Sequence, residues 1–232
     1  DYVDKFKVRE IVRKTVGEDV LIPLYGVYLD VSEIEWDLLP RQFVLKCTHG
    51  SGCNIVCTDK NTLDVEVAKR KLKVWMDRNW FWYGRERPYL NLKPRIICER
   101  FLSDDGQLGT GLTDYKFYCF DGSPEYCQVI MNRCSGGTID FFDTDWNHMS
   151  FSGLRRLPNS SNPIPKPAKL KEMLEIASTL STDFPFLRVD LYYAQGQVYF
   201  GELTFYPASG FGCFVPDEWN DLLGERVKIK RA

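Results

Sequence analysis

The chain has 232 residues, of which 44% are apolar and 27% charged, and its formal net charge is −2. This length allows a sizeable core, built as one large domain or as two subdomains around a cleft. The balanced charge gives no basic field for nucleic acid, and no apolar run reaches the ~20 residues of a membrane span.

Cysteine usage bears on metal binding and on cellular location. The eight cysteines form no Cys-x-x-Cys pair, and the chain has only two histidines. A structural zinc site needs such clustered ligands, so this pattern argues against one. Most of the cysteines lie in strand-like apolar runs, where a free thiol packs as a small hydrophobic group. We therefore expect a reduced, cytoplasmic protein, with peripheral attachment to the inner face of the membrane left open.

The first half of the chain alternates between helical and strand-like patterns. Its predicted elements are a helix over 4–16, strands over 43–47 and 54–57, a helix over 64–79 and a strand over 95–102. Gly17 ends the first helix, and Asp64 caps the second. The two short strands flank a glycine-containing loop, which predicts a hairpin.

Strands dominate the second half. Its predicted elements are strands over 114–120, 125–132 and 138–142, an extended linker over 158–167, a helix over 168–181 and strands over 187–193 and 197–205. Antiparallel strands mixed with helices, without regular βαβ alternation, predict the α+β class. We expect two subdomains to meet near residue 102.

The last predicted hairpin carries two acidic side chains. Arg188 and Asp190 share one strand face, and Glu202 and Thr204 share a face of the partner strand, because strand side chains alternate. Two carboxylates on adjacent apolar strands would repel each other unless a cation lies between them. Oxygen ligands of this kind suit Mg²⁺ bound to nucleotide phosphates. The alternative is that Asp190 pairs with Arg188 while Glu202 faces solvent.

Two further positions point to anion or nucleotide binding. Lys46 lies in an apolar strand, where burial is costly unless the ammonium meets an anion. The loop His49-Gly50-Ser51-Gly52 that follows can offer backbone N–H groups to phosphate, although a plain hairpin tip is the alternative. It is not a Walker A loop, because the lysine precedes the glycines. Glu99, on the strand leading into the second half, can accept from an adenine amino group, or it is simply the one polar position of that strand.

Taken together and in this order, these segments resemble the ATP-grasp superfamily. The likeness covers nearly the whole chain and is closest to the TupA-like (teichuronopeptide-biosynthesis-type) branch. The motifs that carry it are FVLKCTHGSG (43–52), WYGRE (82–86), KPRIICERFL (93–102), DYKFYCFDG (114–122) and GELTFYPASGFG (201–212).

The resemblance implies an α+β ATP-grasp fold, one domain with subdomains over 1–101 and 102–232 that hold a nucleotide between them. ATP and Mg²⁺ are the implied cofactors. The resemblance implies that Lys5 and Lys46 contact phosphate and that the loop His49, Gly50, Ser51 and Gly52 closes over it. It implies adenine contacts from Glu99, Arg100, Phe101 and Leu102. It also implies that Asp190, Glu202 and Thr204 ligate Mg²⁺ and that Arg188 stabilises the transferring phosphoryl group. Lys46 is also expected to act in catalysis.

Some implied positions depart from the family pattern or keep an alternative. Thr204 stands where many ATP-grasp enzymes have Asn, so its hydroxyl ligates Mg²⁺ or holds a ligating water. Asp114 and Lys116 are expected near the nucleotide, and Arg133 near substrate or phosphate; the alternative for all three is solvated surface charge.

The TupA-like branch implies carboxylate–amine ligation through an acyl phosphate, with a uronic acid and an amino acid or other amine as substrates in bacterial surface polysaccharide synthesis. Arg85 would clamp the sugar carboxylate. An aromatic cluster, comprising Trp80, Trp82, Tyr83 and Tyr89, would stack on sugar faces, or it belongs to the core. The competing functions are an ATP-grasp kinase acting on a sugar, a non-catalytic polysaccharide-assembly module and, with Asp143-Thr144-Asp145 as its only motif, a glycosyltransferase.

Overall fold

The computed structural model describes residues 1–103, 111–132, 136–154 and 157–229. Its contacts divide the chain into two compact units. The first unit comprises residues 1–13 and 21–102, and the second comprises residues 14–20 and 103–232. The segment 14–20 groups with the second unit although it precedes the sheet of the first unit in sequence.

A four-stranded antiparallel sheet with strand order β1-β4-β2-β3 forms the first unit. The elements from its N-terminal end onward are α1 (Val8–Val16), β1 (Leu24–Tyr28), β2 (Phe43–Cys47), β3 (Asn54–Cys57), α2 (Val65–Met76), α3 (Phe81–Gly84) and β4 (Ile96–Arg100). Alternate residues of β2, Phe43 and Leu45 among them, are buried in a core with Ile96 of β4 and Leu72 of α2. Alternation therefore turns Lys46 to the opposite face of the sheet.

Most of the predicted elements of this unit are present, with three differences, one of which is that the four-residue helix α3 is absent from the prediction. The first helix begins at Val8 and not at residue 4, because Asp4 acts as a cap: its Oδ1 accepts from the backbone N–H groups of Phe6 (2.9 Å) and Lys7 (3.1 Å). Strand β1 is absent from the predicted elements. It is short, and its pairing with β4 shifts register next to Gly26.

The second unit contains a five-stranded antiparallel sheet with strand order β10-β9-β5-β6-β7. Its elements are β5 (Asp114–Phe120), β6 (Ser123–Met131), β7 (Thr138–Asp143), β8 (Ser152–Gly153), α4 (Leu170–Ser181), β9 (Phe186–Ala194), β10 (Gln197–Thr204), β11 (Phe214–Val215) and α5 (Glu218–Gly224). The five long strands and α4 match predicted elements, whereas β8, β11 and α5 are absent from the prediction. All three are short, and β8 and β11 pair only with each other.

The two faces of this sheet differ in character. Helix α4 packs on one face, where the thiol of Cys119 approaches the carbonyl oxygen of Ala177 at 3.8 Å. On the opposite face, an aromatic cluster around Tyr118 and Phe141 packs against Phe151 and Leu223. Residues 114 and 116 of β5 belong to this second face by alternation, so charged side chains continue it beyond the aromatic cluster.

Two further features of the fold concern its cysteine thiols and its helices. Cys47, Cys98 and Cys119 are free and buried, and burial raises the pKa of each thiol to about 12. These thiols therefore stay protonated and unreactive. Within the described ranges, no helix is both long and apolar enough to cross a bilayer.

Candidate functional site

In the second unit, strands β5 and β9 bring four charged side chains together. Asp114 and Lys116 lie on β5, and Arg188 and Asp190 lie on β9, where Lys116 is directly opposite Asp190. All four residues are buried. Buried charges persist only when they are paired, so the contacts among them decide whether this arrangement is stable.

Asp190 is the centre of these contacts. Arg188 donates to both of its oxygens, from Nε to Oδ1 (2.7 Å) and from Nη2 to Oδ2 (2.8 Å). Lys116 Nζ donates to the same Oδ2, and it lies 3.5 Å from Oδ1 of Asp114. The pairing of Asp190 with Arg188, left open by the sequence, is thus present, and Lys116 adds a second cation.

Glu202 and Thr204 reach this cluster because β10 contains a bulge. The register passes from Phe200 opposite Leu191 to Glu202 opposite Asp190, so Gly201 is the additional residue. Arg188 Nη2 donates to the hydroxyl of Thr204 (3.0 Å) and lies 3.5 Å from Oε1 of Glu202. The Arg188 guanidinium consequently lies between the side chains of Asp190 and Glu202.

The charge balance keeps Arg188 ionised. Burial alone would lower the pKa of Arg188, but the charge of Asp190, together with Tyr118 and Glu202, outweighs burial and raises that pKa above its ordinary value. Three carboxylates, those of Asp114, Asp190 and Glu202, face the two cations Lys116 and Arg188. Among these five side chains, the carboxylates outnumber the cations by one.

The oxygen donors of these acidic side chains are of the kind that a hard divalent cation prefers. Mg²⁺ is usually held by one or two carboxylates together with substrate phosphates. In the described part of the chain, no group of three or more His, Cys, Asp or Glu side chains is placed to hold a metal ion. Of the Glu202 and Asp190 carboxylates, Glu202 is the more accessible, with 31% of its side chain exposed, whereas both oxygens of Asp190 already accept from cations.

The first unit brings Lys46 and Glu99 together. Lys46 Nζ lies 2.6 Å from Oε2 of Glu99, and Nη1 of Arg9 lies 3.3 Å from Oε1. Nη2 of Arg9 donates to the carbonyl oxygen of Ile22 (2.6 Å). Glu99 is 5% exposed and meets cations on both oxygens, a placement that the sequence does not predict.

Lys5 is attached to the glycine loop. Its backbone N–H donates to the carbonyl oxygen of Thr48 (3.1 Å), and its Nζ donates to the carbonyl oxygen of Gly50 (2.8 Å). Gly50 in turn packs on Trp80, because a Cβ at this position would lie 2.9 Å from the indole ring. Only glycine fits here, so the loop is held against the Trp80 ring.

His49 points away from the exposed side of the loop. It is buried, and its Nε2 lies 3.1 Å from the carbonyl oxygen of Trp75 in α2. Burial lowers the pKa of His49, which keeps the ring neutral. Ser51 and Gly52 are exposed, so they are the loop residues that face solvent.

The remaining predicted residues are more scattered. Arg100 and Phe101 are partly buried and Leu102 is buried. Arg85 is exposed, with its guanidinium carbon 4.5 Å from the centroid of the Trp82 ring. Arg133 lies outside the described residues.

Arg9 is the participant that the sequence does not reveal. It lies between apolar positions of α1, next to Val8 and near Val12, both of which are buried. A cation inside the apolar face of a helix is the signal that points to a buried anionic partner. That partner is Glu99, which is 90 residues away in sequence, so only the fold identifies it.

The family model described as TupA-like ATPgrasp matches residues 1–228. A search of the curated proteins found no match.

Several solved structures are similar in fold. The D-alanine–D-alanine ligase of Bacillus anthracis has a TM-score of 0.50 and 16% identity, covering 97% of this chain and 65% of that one. The D-alanyl-alanine synthetase A of Vibrio cholerae has a TM-score of 0.51 and 10% identity, covering 90% and 56%. The ATP-grasp ligase PsnB, complexed with a phosphomimetic variant of its minimal precursor, Mg and ADP, has a TM-score of 0.49 and 10% identity, covering 98% and 59%.

The identities are low, so the likeness to the Bacillus anthracis and Vibrio cholerae enzymes shows a shared fold and nothing finer. The chain spans between 56% and 65% of the length of these three structures.

Proposed function

We propose that this chain, which belongs to the TupA-like ATP-grasp family, is an ATP- and Mg²⁺-dependent ligase that joins a carboxylate to an amine. The observation that carries the proposal is the placement of Arg188, held by Asp190 and Thr204 beside the accessible carboxylate of Glu202. Such an arrangement suits the binding and activation of a phosphoryl group, because a fixed cation neutralises charge without having to reorganise.

Nucleotide phosphates would be bound by the first unit through Lys46 and Lys5, with the exposed loop residues Ser51 and Gly52. Support comes from Lys46, whose ammonium is turned away from the core and remains 19% exposed as a side chain. The Lys5 ammonium lies beside the loop because it donates to the carbonyl oxygen of Gly50. Backbone N–H groups of a glycine-rich loop are suitable donors to phosphate oxygens.

Mg²⁺ would be held by Glu202 and Asp190, with the Thr204 hydroxyl as a direct ligand or as the partner of a ligating water. When bound, the ion would neutralise the charge of the nucleotide phosphates. Asp190 also holds Arg188 and Lys116 in place, so this residue has a structural role in addition to ligation.

In the proposed reaction an oxygen of the substrate carboxylate attacks the γ-phosphorus of ATP, and the bond from that phosphorus to the bridging oxygen breaks to release ADP. The amine nitrogen then attacks the carbonyl carbon of the acyl phosphate, inorganic phosphate leaves, and the nitrogen loses a proton to give the amide. Arg188 and Lys116 stabilise the negative charge that spreads over the transferring oxygens. The protein contributes mainly position and charge.

For the substrates we propose a uronic acid and an amino acid or other amine, in the synthesis of a bacterial surface polysaccharide. Arg85 supports a carboxylated sugar, because its guanidinium is exposed and stacked on Trp82. Trp82 and Tyr83 are 60% and 62% exposed. Arg85 covers one face of Trp82 and Trp80 stacks on one face of Tyr83, so the opposite face of each ring would be the one to contact a sugar. Trp80 packs against the core of the first unit and is not open in this way.

A matrix of uronic acids against amines, with ADP release as the readout, tests this function. The proposal expects release that requires Mg²⁺ and both substrates, and an amide product by mass spectrometry. Release with a uronic acid or sugar alone, together with a stable phosphorylated product, would establish a kinase instead. A Glu202→Gln variant run in parallel controls for contaminating ATPase activity.

A further inference from the structure

The glycine loop, residues 49–52, is attached to the rest of the first unit along its first half. The Nε2 atom of His49 lies 3.1 Å from the carbonyl oxygen of Trp75 at the end of α2. The carbonyl oxygen of Gly50 accepts from Nζ of Lys5 (2.8 Å). Both contacts belong to the first half of the loop, whereas the second half is exposed.

Gly50 also packs on the indole ring of Trp80. A Cβ at Gly50 would lie 2.9 Å from Cδ2 and from Cε3 of that ring, and 3.2 Å from Cγ. These atoms are at the base and the centre of the indole, so the ring cannot make room by turning its far end aside. The Gly50 backbone is therefore in direct contact with the ring.

We propose that Trp80 is a positioning residue for the glycine loop. Its ring fixes the place of Gly50, and thereby sets where the backbone N–H groups of Ser51 and Gly52 meet a nucleotide phosphate. Trp80 acts in this role through Gly50 and not by contact with the nucleotide. The inference rests on the proposed function in one respect, namely that the glycine loop binds phosphate.

The first argument is that the two glycines of the loop are needed for different reasons. Gly52 has a φ of +72°, in the left-handed region that favours glycine, and among the described residues only its chain neighbours come within 4 Å of where a Cβ would lie. Gly50 is outside that region, so its backbone conformation would accept alanine. What excludes a side chain at Gly50 is the Trp80 ring, and the requirement for glycine is thus the ring contact itself.

The second argument is that the Trp80 ring is itself held in place. It packs against the buried core of the first unit. It also stacks on Tyr83, with ring centroids 5.1 Å apart and planes inclined by 24°. The Tyr83 N–H donates to the carbonyl oxygen of Trp80 (3.1 Å), so both rings belong to the same backbone turn. A ring packed in this way can hold a loop without being displaced by it.

The third argument concerns the cost of binding phosphate. A loop that binds an anion through backbone N–H groups gives up conformational freedom when the ligand arrives. Because Gly50 is already held, only the exposed residues Ser51 and Gly52 have to become ordered. Loss of the ring should therefore weaken nucleotide binding in addition to any effect on the stability of the fold.

Trp80→Leu and Trp80→Phe separate positioning from stability. Both remove part of the indole and should lower the unfolding free energy, because each leaves space in the core. Only Trp80→Phe keeps a flat ring beneath Gly50. Calorimetric titration with ATP in Mg²⁺ should show binding about tenfold weaker for Trp80→Leu, and within about twofold of wild type for Trp80→Phe. Equal loss of affinity in the two variants, or wild-type affinity in both, would overturn the proposal.

Gly50→Ala tests the same contact from the side of the loop. In the wild-type background the added methyl group should push the loop off the ring and weaken ATP binding by about tenfold. In a Trp80→Ala background the methyl group has room, so Gly50→Ala should change ATP affinity by less than about twofold. An equal effect in the two backgrounds would contradict the proposal. If Trp80→Ala does not fold, the comparison of Trp80→Leu with Trp80→Phe decides alone.

Gly52→Ala is the matched control. It strains a backbone with positive φ whatever stands at position 80, so it should weaken ATP binding by the same factor in the wild-type and Trp80→Ala backgrounds. A Gly52→Ala effect that disappears with the ring, as that of Gly50→Ala should, would overturn the specific contact between Trp80 and Gly50. Wild-type protein that does not bind ATP in Mg²⁺ would refute the proposed function itself, and this role with it.

Discussion

Two interpretations of the sequence pattern at Asp190 are compatible with each other in the fold. The strand pattern predicts an acidic side chain at a metal site, with pairing to Arg188 as the alternative. In the fold both oxygens of Asp190 accept from cations, while the carboxylate still lies opposite Glu202. Alternation along β9 predicts the pairing with Arg188, but the contribution of Lys116 depends on which strand lies beside β9 and could not be predicted.

Glu202→Gln isolates the proposed metal ligand from the stability of the fold. Glu202 is partly exposed, with 31% of its side chain accessible, so the folded protein should tolerate the change. We expect Mg²⁺-dependent turnover to fall by about a hundredfold or more, since an interaction made with the transferring phosphate is lost. Turnover assays over a range of Mg²⁺ concentrations measure this. Wild-type turnover in the variant would remove Glu202 from the metal site.

Asp190→Asn should behave differently from Glu202→Gln. Removing this carboxylate leaves Arg188 and Lys116 buried without their shared partner, and breaking a buried pair in this way costs about 3–5 kcal/mol. Chemical denaturation should therefore show a large loss of unfolding free energy together with the loss of turnover. A variant that loses turnover with unchanged stability would show that Asp190 does not hold the two cations.

His49 gives a prediction for pH. Because burial lowers its pKa in the folded protein, the folded state keeps His49 neutral, while the unfolded chain protonates it at an ordinary pKa of about 6.5. The stability contributed by the neutral ring is complete above that value and is lost as pH falls through it toward the lower folded pKa.

His49→Gln retains a donor for the Trp75 carbonyl and does not titrate, so it is the matched comparison. The unfolding free energy of wild type relative to this variant should decrease between about pH 8 and about pH 5. Denaturant titrations at several pH values measure the difference, and a constant difference would contradict the buried, neutral state of His49.

At the scale of elements, the long strands are the part of the fold most readily predicted. β2, β5 and β9 combine strong apolar character with clear alternation, and their observed bounds agree with the predicted ones to within a residue. Short elements carry too few residues for a pattern, which is why β8, β11 and α5 are missing from the prediction. The bulge in β10 could not be predicted either, because it depends on the pairing with β9.

Gly201 forms this bulge at a position that has little room for a side chain. A Cβ here would lie 3.0 Å from the carbonyl oxygen of Asp190 and 3.0 Å from the Tyr192 ring. Gly201→Ala should therefore shift β10 against β9, reduce the unfolding free energy by about 1–3 kcal/mol and misplace Glu202. Both unfolding and Mg²⁺-dependent turnover should be measured. Unchanged turnover would show that the bulge does not position Glu202.

At the scale of the whole molecule, the α+β ATP-grasp fold predicted from the order of motifs is confirmed by the family match over residues 1–228 and by the similar solved structures. No single motif carries this conclusion, since a lysine before a glycine loop and a hairpin with two acids each have a plain structural alternative. The grouping of segment 14–20 with the second unit could not be predicted. It follows from contacts such as the bond from Phe200 N–H to the Val20 carbonyl (2.7 Å), which join distant parts of the sequence.

The proposed ligase must bind ATP together with Mg²⁺. Calorimetric titration of the wild-type protein with ATP, once in Mg²⁺ and once in excess chelator, measures this binding. We predict saturable binding in Mg²⁺ and binding at least about tenfold weaker in chelator, because carboxylates would then face unneutralised phosphates. Absence of binding under both conditions would rule out the proposed ligase and leave a non-catalytic module with an ATP-grasp fold.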